Sequence, residues 1–326
     1  MKRSGQELLE ITFKVAALAR ETGHFIKGEA AGFDPEMAEK KGLHDFVSYV
    51  DVEAEKMIIK GLSQIIPGSR FFTEEGTSAG AAGKEAGDPN SLPEDDDTRG
   101  ESAGRSAEAD GKSEEAGQYR AVGNGGPDIK GNRSIYTWIV DPLDGTTNFM
   151  HGLPPYSISI ALSEQGKIVA GVVYIVTSDE MFTATIEGGA WLNGSRISVS
   201  AASRIEDSLI ATGFPYKNFS RLGSFMGALE YFIRNTHGVR RMGSAAVDLA
   251  YVACGRFDAF FEYNLNPWDV AAGALLVKEA GGMVSDFSGD GDNVNGAETI
   301  ASNSLLYDNF KKIVGTFMLD EEGDLP

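Results

Sequence analysis

Nine consecutive residues carry the densest chemistry in this chain: Asp141-Pro142-Leu143-Asp144-Gly145-Thr146-Thr147-Asn148-Phe149. Two carboxylates stand three residues apart, with two hydroxyls directly behind them. Strand-forming residues lead in, Ile135, Trp138, Ile139 and Val140. Pro142 and Gly145 are expected to end that strand at once, because proline donates nothing to a ladder and glycine opens backbone angles that other residues resist. Two bare carboxylates about 4 Å apart repel by roughly 4 kcal/mol at an effective dielectric of about 20. A fold that clusters them supplies a cation or a shared proton. Carboxylate, carbonyl and hydroxyl oxygens are hard ligands that suit Mg²⁺ or Mn²⁺. An Asp-rich Pro/Gly turn is also an ordinary surface turn, so carboxylates elsewhere in the chain must decide between the two readings.

Three other segments offer such carboxylates. Lys41-Gly42-Leu43-His44-Asp45-Phe46-Val47-Ser48-Tyr49-Val50-Asp51 runs into Glu53, Glu55 and Lys56 and then apolar Met57, Ile58 and Ile59, the pattern of a helix start at which Asp51 caps open N–H groups. Ser69-Arg70-Phe71-Phe72-Thr73 reads as a short strand delivering Glu74 and Glu75 ahead of Gly76. Asn266-Pro267-Trp268-Asp269-Val270-Ala271-Ala272-Gly273-Ala274 sets Asp269 at the mouth of a helix whose small side chains permit close approach to another element. A fourth stretch, Gly243-Ser244-Ala245, resembles a turn that opens a helix in known proteins. Its N-terminus suits a polyol or phosphate, and close packing of small residues is an equal reading.

In this order the segments resemble the inositol monophosphatase family, within the wider Mg²⁺-dependent, Li⁺-sensitive phosphatases. The pattern Asp-Pro-x-Asp-Gly-Thr-x-Asn-Phe and the pattern Trp-Asp-x-Ala-Ala-Gly carry the resemblance, which covers roughly residues 5–318 apart from 77–134. It implies a layered α-β-α-β-α sandwich of the α/β (α+β) class and commonly a homodimer. The chain is then one phosphatase domain over 1–326, with halves of roughly 1–200 and 201–318.

The resemblance also implies a ligand set. Glu74, Asp141, the Leu143 carbonyl and the Thr146 hydroxyl would hold one Mg²⁺. Asp141, Asp144 and Asp269 would hold a second, and a third, weaker ion would touch Glu74 through water. Thr146 and Asp51 would orient and deprotonate the attacking water, with no phosphoenzyme. Gly145 and Thr146, with Gly243, Ser244, Ala245, Asp144, Asp269 and Glu262, would contact the phosphate and the inositol hydroxyls, and Lys41 and Glu75 would support them. The implied activity is hydrolysis of myo-inositol monophosphate. The alternatives are histidinol phosphate or another small sugar or nucleotide phosphate as substrate, or a phosphatase-like regulatory binding protein.

The elements that must position these groups are legible from periodicity. Residues 5–28 and Leu222 to Asn235 read as amphipathic helices. Tyr156 to Leu162, Ile168 to Val176 and Glu180 to Thr185 read as an antiparallel meander, Ser208 to Thr212 and Arg256 to Glu262 as later strands, and residues 299–317 as a last strand and helix. Phe149 and Trp191 are expected in the core. Residues 77–134 are rich in Gly, Ala, Ser and Glu and poor in large apolar groups; such a stretch buries too little surface to offset its chain entropy, and a disordered insertion without a catalytic part is expected.

Composition excludes some classes. The net charge of −19 argues against a nucleic-acid surface, while a divalent cation can still invert the local field for an anionic substrate. The single cysteine, Cys254, allows no intrachain disulfide and suits a reducing, cytoplasmic setting. The basic start is followed at once by Glu7 and Glu10, unlike a signal peptide, and no run nears the roughly 18 apolar residues of a membrane span.

Overall fold

The computed structural model describes residues 3–34, 39–42, 45–77, 135–215, 218–289 and 297–319. The expected insertion lies outside them from residue 78 onward, as do the side chains of residues 35–46.

Helix α1 (Gly5–Ala30) starts at a capping box. The Ser4 N–H donates to Glu7 Oε2 at 2.8 Å and Ser4 Oγ accepts from the Glu7 N–H at 3.3 Å. Leu8, Ile11, Val15, Ala19 and Ile26 then recur on its buried side. A two-stranded ribbon, β1 (Glu39–Gly42) with β2 (Asp45–Val47), precedes α2 (Tyr49–Ile65), which opens on a second capping box, Ser48 with Asp51. Both helices pack on one face of a seven-stranded sheet: β3 (Arg70–Thr73), β4 (Tyr136–Asp144), β5 (Ser157–Glu164), β6 (Lys167–Ile175), β7 (Glu180–Thr185), β8 (Gly189–Leu192) and β9 (Ser195–Arg196), neighbours in space in that order. The β3–β4 pair is parallel and the rest antiparallel. Short α3 (Thr146–Met150) follows β4.

The second sheet has five strands in the order β11 (Gly238–Arg240), β10 (Leu209–Thr212), β12 (Ala259–Tyr263), β14 (Glu298–Asn303), β13 (Gly282–Ser285). Helices α5 (Ala245–Ala253) and α6 (Pro267–Glu279) fill the space between the sheets. Helices α4 (Leu222–Asn235) and α7 (Tyr307–Met318) cover the outer face of the second sheet. Three apolar cores separate five layers, α-β-α-β-α. The middle layer is tight because its contacts are small: a Cβ on Gly171 of β6 would lie 3.0 Å from the Ala272 carbonyl oxygen of α6.

Two strands and one side chain differ from the sequence reading. β4 does not stop at Pro142; pairing resumes with Asp144 opposite Ser157 after Asp141 opposite Ser159. One extra residue sits on the β4 side, so Pro142 and Leu143 occupy a bulge where a missing donor costs no ladder bond. β12 begins at Ala259 rather than Arg256, because the Asp258 carboxylate turns aside to accept from Ser200 Oγ at 2.5 Å and the Leu209 N–H at 2.7 Å. Phe149 is buried as expected, whereas Trp191 is half-buried and lines a surface groove with Leu9 and Phe13 of α1.

Candidate active site

The parallel β3–β4 pairing sets Thr73 opposite Val140, so Glu74, just past the end of β3, stands beside Asp141 of β4. The Glu74 N–H donates to the Val140 carbonyl at 3.2 Å, and a hydrogen bond joins the Glu74 and Asp141 side chains. Asp141 Oδ1 also accepts from the Leu143 N–H at 2.9 Å across the bulge. Gly145 then adopts φ 95°, where a Cβ would crowd the carbonyl oxygens of Gly243 and Pro155, each at 3.2 Å. Asn148 locks this turn by donating from Nδ2 to the Pro155 and Met242 carbonyls at 2.7 and 2.8 Å.

α2 faces the same turn. Asp51 does cap its helix, and it does more: Oδ2 accepts from the Ser48 N–H at 2.9 Å and from Ser48 Oγ at 2.6 Å, while Oδ1 lies 3.0 Å from Thr146 Oγ1. Thr146 Oγ1 is also 3.0 Å from the Leu143 carbonyl. The hydroxyl has one proton, so it satisfies one of these acceptors at a time. One turn further along, buried Glu55 accepts from the Glu75 N–H at 2.8 Å, the Thr77 N–H at 2.7 Å and Thr77 Oγ1 at 2.5 Å. Glu55 thereby clamps the turn that carries Glu74.

From the second sheet and middle layer come the remaining groups. Ser244 Oγ and the Ala246 N–H, both at the start of α5, donate to Asp144 Oδ2 at 2.6 and 2.8 Å. The open helix terminus expected at Gly243-Ser244-Ala245 therefore serves a carboxylate of this chain. Asp269 sits three residues into α6, where its Oδ2 accepts from the Asn266 N–H at 2.6 Å. Glu262 of β12 is 7% exposed and rests on Gly213, where a Cβ would lie 1.9 Å from Oε1. Asp144, Gly213, Ser244, Glu262 and Asp269 line one cavity of about 260 Å³ with Glu74 and Asp141, together with Arg241 and Asp248.

Charge is concentrated here. Burial, and then the charges of Glu74, Asp144 and Asp269, push the Asp141 carboxyl well above its ordinary value. Asp269 is raised by burial and then by Asp144 and Glu74. Burial lifts Asp144 to about 6 against the hydrogen bonds from Ser244 and Ala246. Burial likewise lifts Glu262 to about 8 against the attraction of Arg241, and raises Asp51 against its hydrogen bonds from Ser48 and Thr146. Among the described residues, no group of three or more His, Cys, Asp or Glu side chains is already drawn around one ion position. Four converging oxygen-donor carboxylates, of which Asp141 and Asp269 are raised by burial and by their neighbours' charge, nevertheless fit a hard divalent cation, which would offset the repulsion between them.

A pH dependence follows. Glu262 keeps its proton in the folded protein up to about pH 8, whereas the unfolded chain releases it near 4.5. The folded state therefore binds more protons across that window, and stability is present below it and lost as pH rises through it. With divalent ions chelated, the melting temperature should fall between about pH 4.5 and about pH 8. Glu262→Gln should flatten the upper part of that fall, and added Mg²⁺ should stabilise more at the alkaline end, where ligands are deprotonated. Thermal unfolding followed by circular dichroism across pH checks this; a flat profile contradicts the burial of these charges.

Comparison with known proteins agrees with this geometry. The family model described as the inositol monophosphatase family matches residues 7–317. The chain belongs to the inositol monophosphatase family. It is 38% identical to an inositol-1-monophosphatase of Mesorhizobium japonicum over 82% of this chain and 81% of the relative. It is also 35% identical to the Nus factor SuhB of Pseudomonas aeruginosa over 93% of each chain. The crystal structure of the extragenic suppressor protein suhB from Bartonella henselae superposes with a TM-score of 0.72 at 35% identity, covering 94% of this chain and 97% of that one.

Set against the family motifs, the structure brings Glu74, Asp141, Leu143, Asp144, Gly145, Thr146, Gly243, Ser244, Ala245, Glu262 and Asp269 to one cavity, with Asp51 behind Thr146. Glu75 contributes its backbone N–H to Glu55. Lys41 lies in β1, and its side chain is outside the described residues. Sequence reasoning missed Glu55, Gly213, Arg241 and Asp248. Two of them had a signal: Glu55 follows Asp51 by one helical turn, and Asp248 is the single charge in an otherwise apolar helix. No helix among the described residues is long and apolar enough to cross a membrane.

Proposed function

We propose that this member of the inositol monophosphatase family is a Mg²⁺-dependent phosphomonoesterase that hydrolyses inositol monophosphate to inositol and phosphate. The observation that carries it is the convergence of Glu74, Asp141, Asp144 and Asp269 on the cavity that also holds the Thr146–Asp51 pair. Glu74, Asp141, Asp144 and Asp269, with the Leu143 carbonyl, would hold two or three Mg²⁺ ions. Bound there, the ions supply charge neutralisation of the phosphate and a lowered pKa for water.

The chain's own residues do the rest. Ser48 pins Asp51 through Oδ2 and leaves Oδ1 to take the Thr146 proton. The lone pairs of Thr146 Oγ1 then accept from a water and hold it in line with phosphorus. As that water attacks phosphorus, it gives its proton towards Thr146 and Asp51, the ester P–O bond breaks, and the leaving alkoxide takes a proton from solvent water to depart as the alcohol. Thr146 and Thr147 open α3, so their N–H groups precede its first intrahelical bonds and suit phosphate oxygens. Glu262 accepts from inositol hydroxyls. In this reading the chain is one catalytic domain, works as a homodimer and is inhibited by Li⁺.

A panel of phosphate esters assayed with and without Mg²⁺ tests the proposal. Release from inositol 1-phosphate is expected only with Mg²⁺ and is expected to fall with Li⁺. Absence of release from any ester would refute the reading. A second one, a regulatory binding role, is favoured by the identity to Nus factor SuhB proteins over most of the chain. It would survive loss of Asp141, whereas catalysis would not.

A further inference from the structure

Glu55 is fully buried on α2, and among the described residues its partners are all donors of one turn. The Glu75 N–H donates to Oε2, and the Thr77 N–H and Thr77 Oγ1 donate to Oε1, so both oxygens are engaged. Gly76, between the two N–H groups, has φ 64°, a backbone turn that lets both converge on one side chain. A carboxylate can accept on both oxygens, whereas an amide in its place would set an NH₂ group against an N–H. Burying a carboxylate is costly unless it is hydrogen-bonded, and the turn it fastens is itself exposed at Gly76. Holding the turn must serve something beyond the turn.

The group it serves is next in the chain. Glu74 directly precedes the turn and lines the active-site cavity. Its own N–H is tied to the Val140 carbonyl of β4 at 3.2 Å, and the following N–H, of Glu75, is tied to Glu55 at 2.8 Å. The amides on both sides of the Glu74 Cα are therefore anchored to different elements, β4 and α2. That fixes where the side chain starts, beside Asp141, to which it is hydrogen-bonded. α2 anchors a second group of the site in the same way: Asp51 lies one helical turn before Glu55, and its Oδ1 is 3.0 Å from Thr146 Oγ1. Residues four apart share a helix face, so one rigid helix sets the spacing between Glu74 and the Thr146 hydroxyl.

We propose that Glu55 is a positioning residue for the cation site: it aims Glu74 and thereby sets the affinity for Mg²⁺, without touching metal, substrate or water. It does not line the cavity. The assignment rests on the Mg²⁺-dependent reading above and adds a residue that acts on metal affinity rather than on the chemical step.

The test titrates Mg²⁺ calorimetrically into wild type, Glu55→Gln, Thr77→Val and Ile58→Val, well below their melting temperatures, and follows the Mg²⁺ dependence of inositol 1-phosphate turnover. Glu55→Gln keeps the side-chain size and loses one acceptor oxygen. Its Mg²⁺ dissociation constant should rise by about 10–100-fold, the scale on which groups that orient a metal ligand act. Its kcat at saturating Mg²⁺ should stay within about threefold of wild type, because Thr146 and Asp51 are untouched. Thr77→Val removes a single donor and should raise the dissociation constant by about two- to fivefold; it decides the matter if Glu55→Gln does not fold. Ile58→Val, on the buried side of the same helix, should lower the melting temperature and leave Mg²⁺ affinity unchanged. Wild-type Mg²⁺ affinity in Glu55→Gln and Thr77→Val, with lowered melting temperatures, would make Glu55 a structural residue and overturn the proposal. A kcat deficit that no Mg²⁺ concentration relieves would overturn it too. Calorimetry reads the positioning role even if no ester is turned over, whereas a wild type that binds no Mg²⁺ removes the metal reading and this proposal with it.

Discussion

Asp141→Asn is expected to abolish Mg²⁺-dependent phosphate release while leaving the fold intact. Asp141 is 2% exposed, hydrogen-bonded to Glu74, and raised by burial and then by three neighbouring carboxylates. It is therefore the group on which negative charge converges, and one that would hold a cation bound there. Loss of a group that merely orients a metal ligand typically costs about 10–100-fold. Loss of a carboxylate that would itself hold the ions should exceed that range. Asparagine keeps the shape and the Oδ1 acceptor for the Leu143 N–H at 2.9 Å, so β4 and its bulge should persist. The metal-free variant should melt at or above the wild-type temperature, because one repelling charge is gone. Steady-state phosphate release and thermal unfolding, run side by side, check both parts. Near-normal turnover in a folded variant would refute the two-metal reading.

Thr146→Val should be nearly as damaging through a different step. The side chain keeps its β-branched shape but loses the oxygen that lies 3.0 Å from both Asp51 and the Leu143 carbonyl. A positioned proton acceptor contributes roughly 10²–10⁴-fold, and kcat should fall by that order with KM little changed. Thr146→Ser retains the hydroxyl and should recover most of the rate. Asp51→Asn should fall between the two, because Asn can still cap the helix start but offers Thr146 a weaker acceptor. A Thr146→Val enzyme with unaltered kcat would mean that the attacking water is held elsewhere.

Much of this molecule is readable without coordinates, for local reasons. The nine-residue Asp141–Phe149 stretch names its own turn, because proline, glycine and paired carboxylates restrict the backbone whatever surrounds them. Helices α1 and α4 and the meander β5–β7 follow from apolar periodicity. Family membership follows from the order of the acidic motifs, and it brings the layered sandwich with it.

Contact between distant segments determined the rest. Whether Asp51 and Asp269 are only helix caps is undecidable locally, since both do cap; it takes the third dimension to put Thr146 beside Asp51 and Asp269 beside Asp144. The continuation of β4 through Pro142 depends on β5 tolerating a bulge. Glu55 becomes a clamp because α2 packs near the end of β3, and Glu262 becomes buried because Gly213 leaves room for it. Asp248 looks like a misplaced charge in an apolar helix until the cavity is seen beside it. Sequence determines backbone preference and side-chain chemistry residue by residue. The environment of a charge, which sets whether it is solvated, paired or held ready for a ligand, is made by groups far away in the chain, and only the packed tertiary structure brings them together.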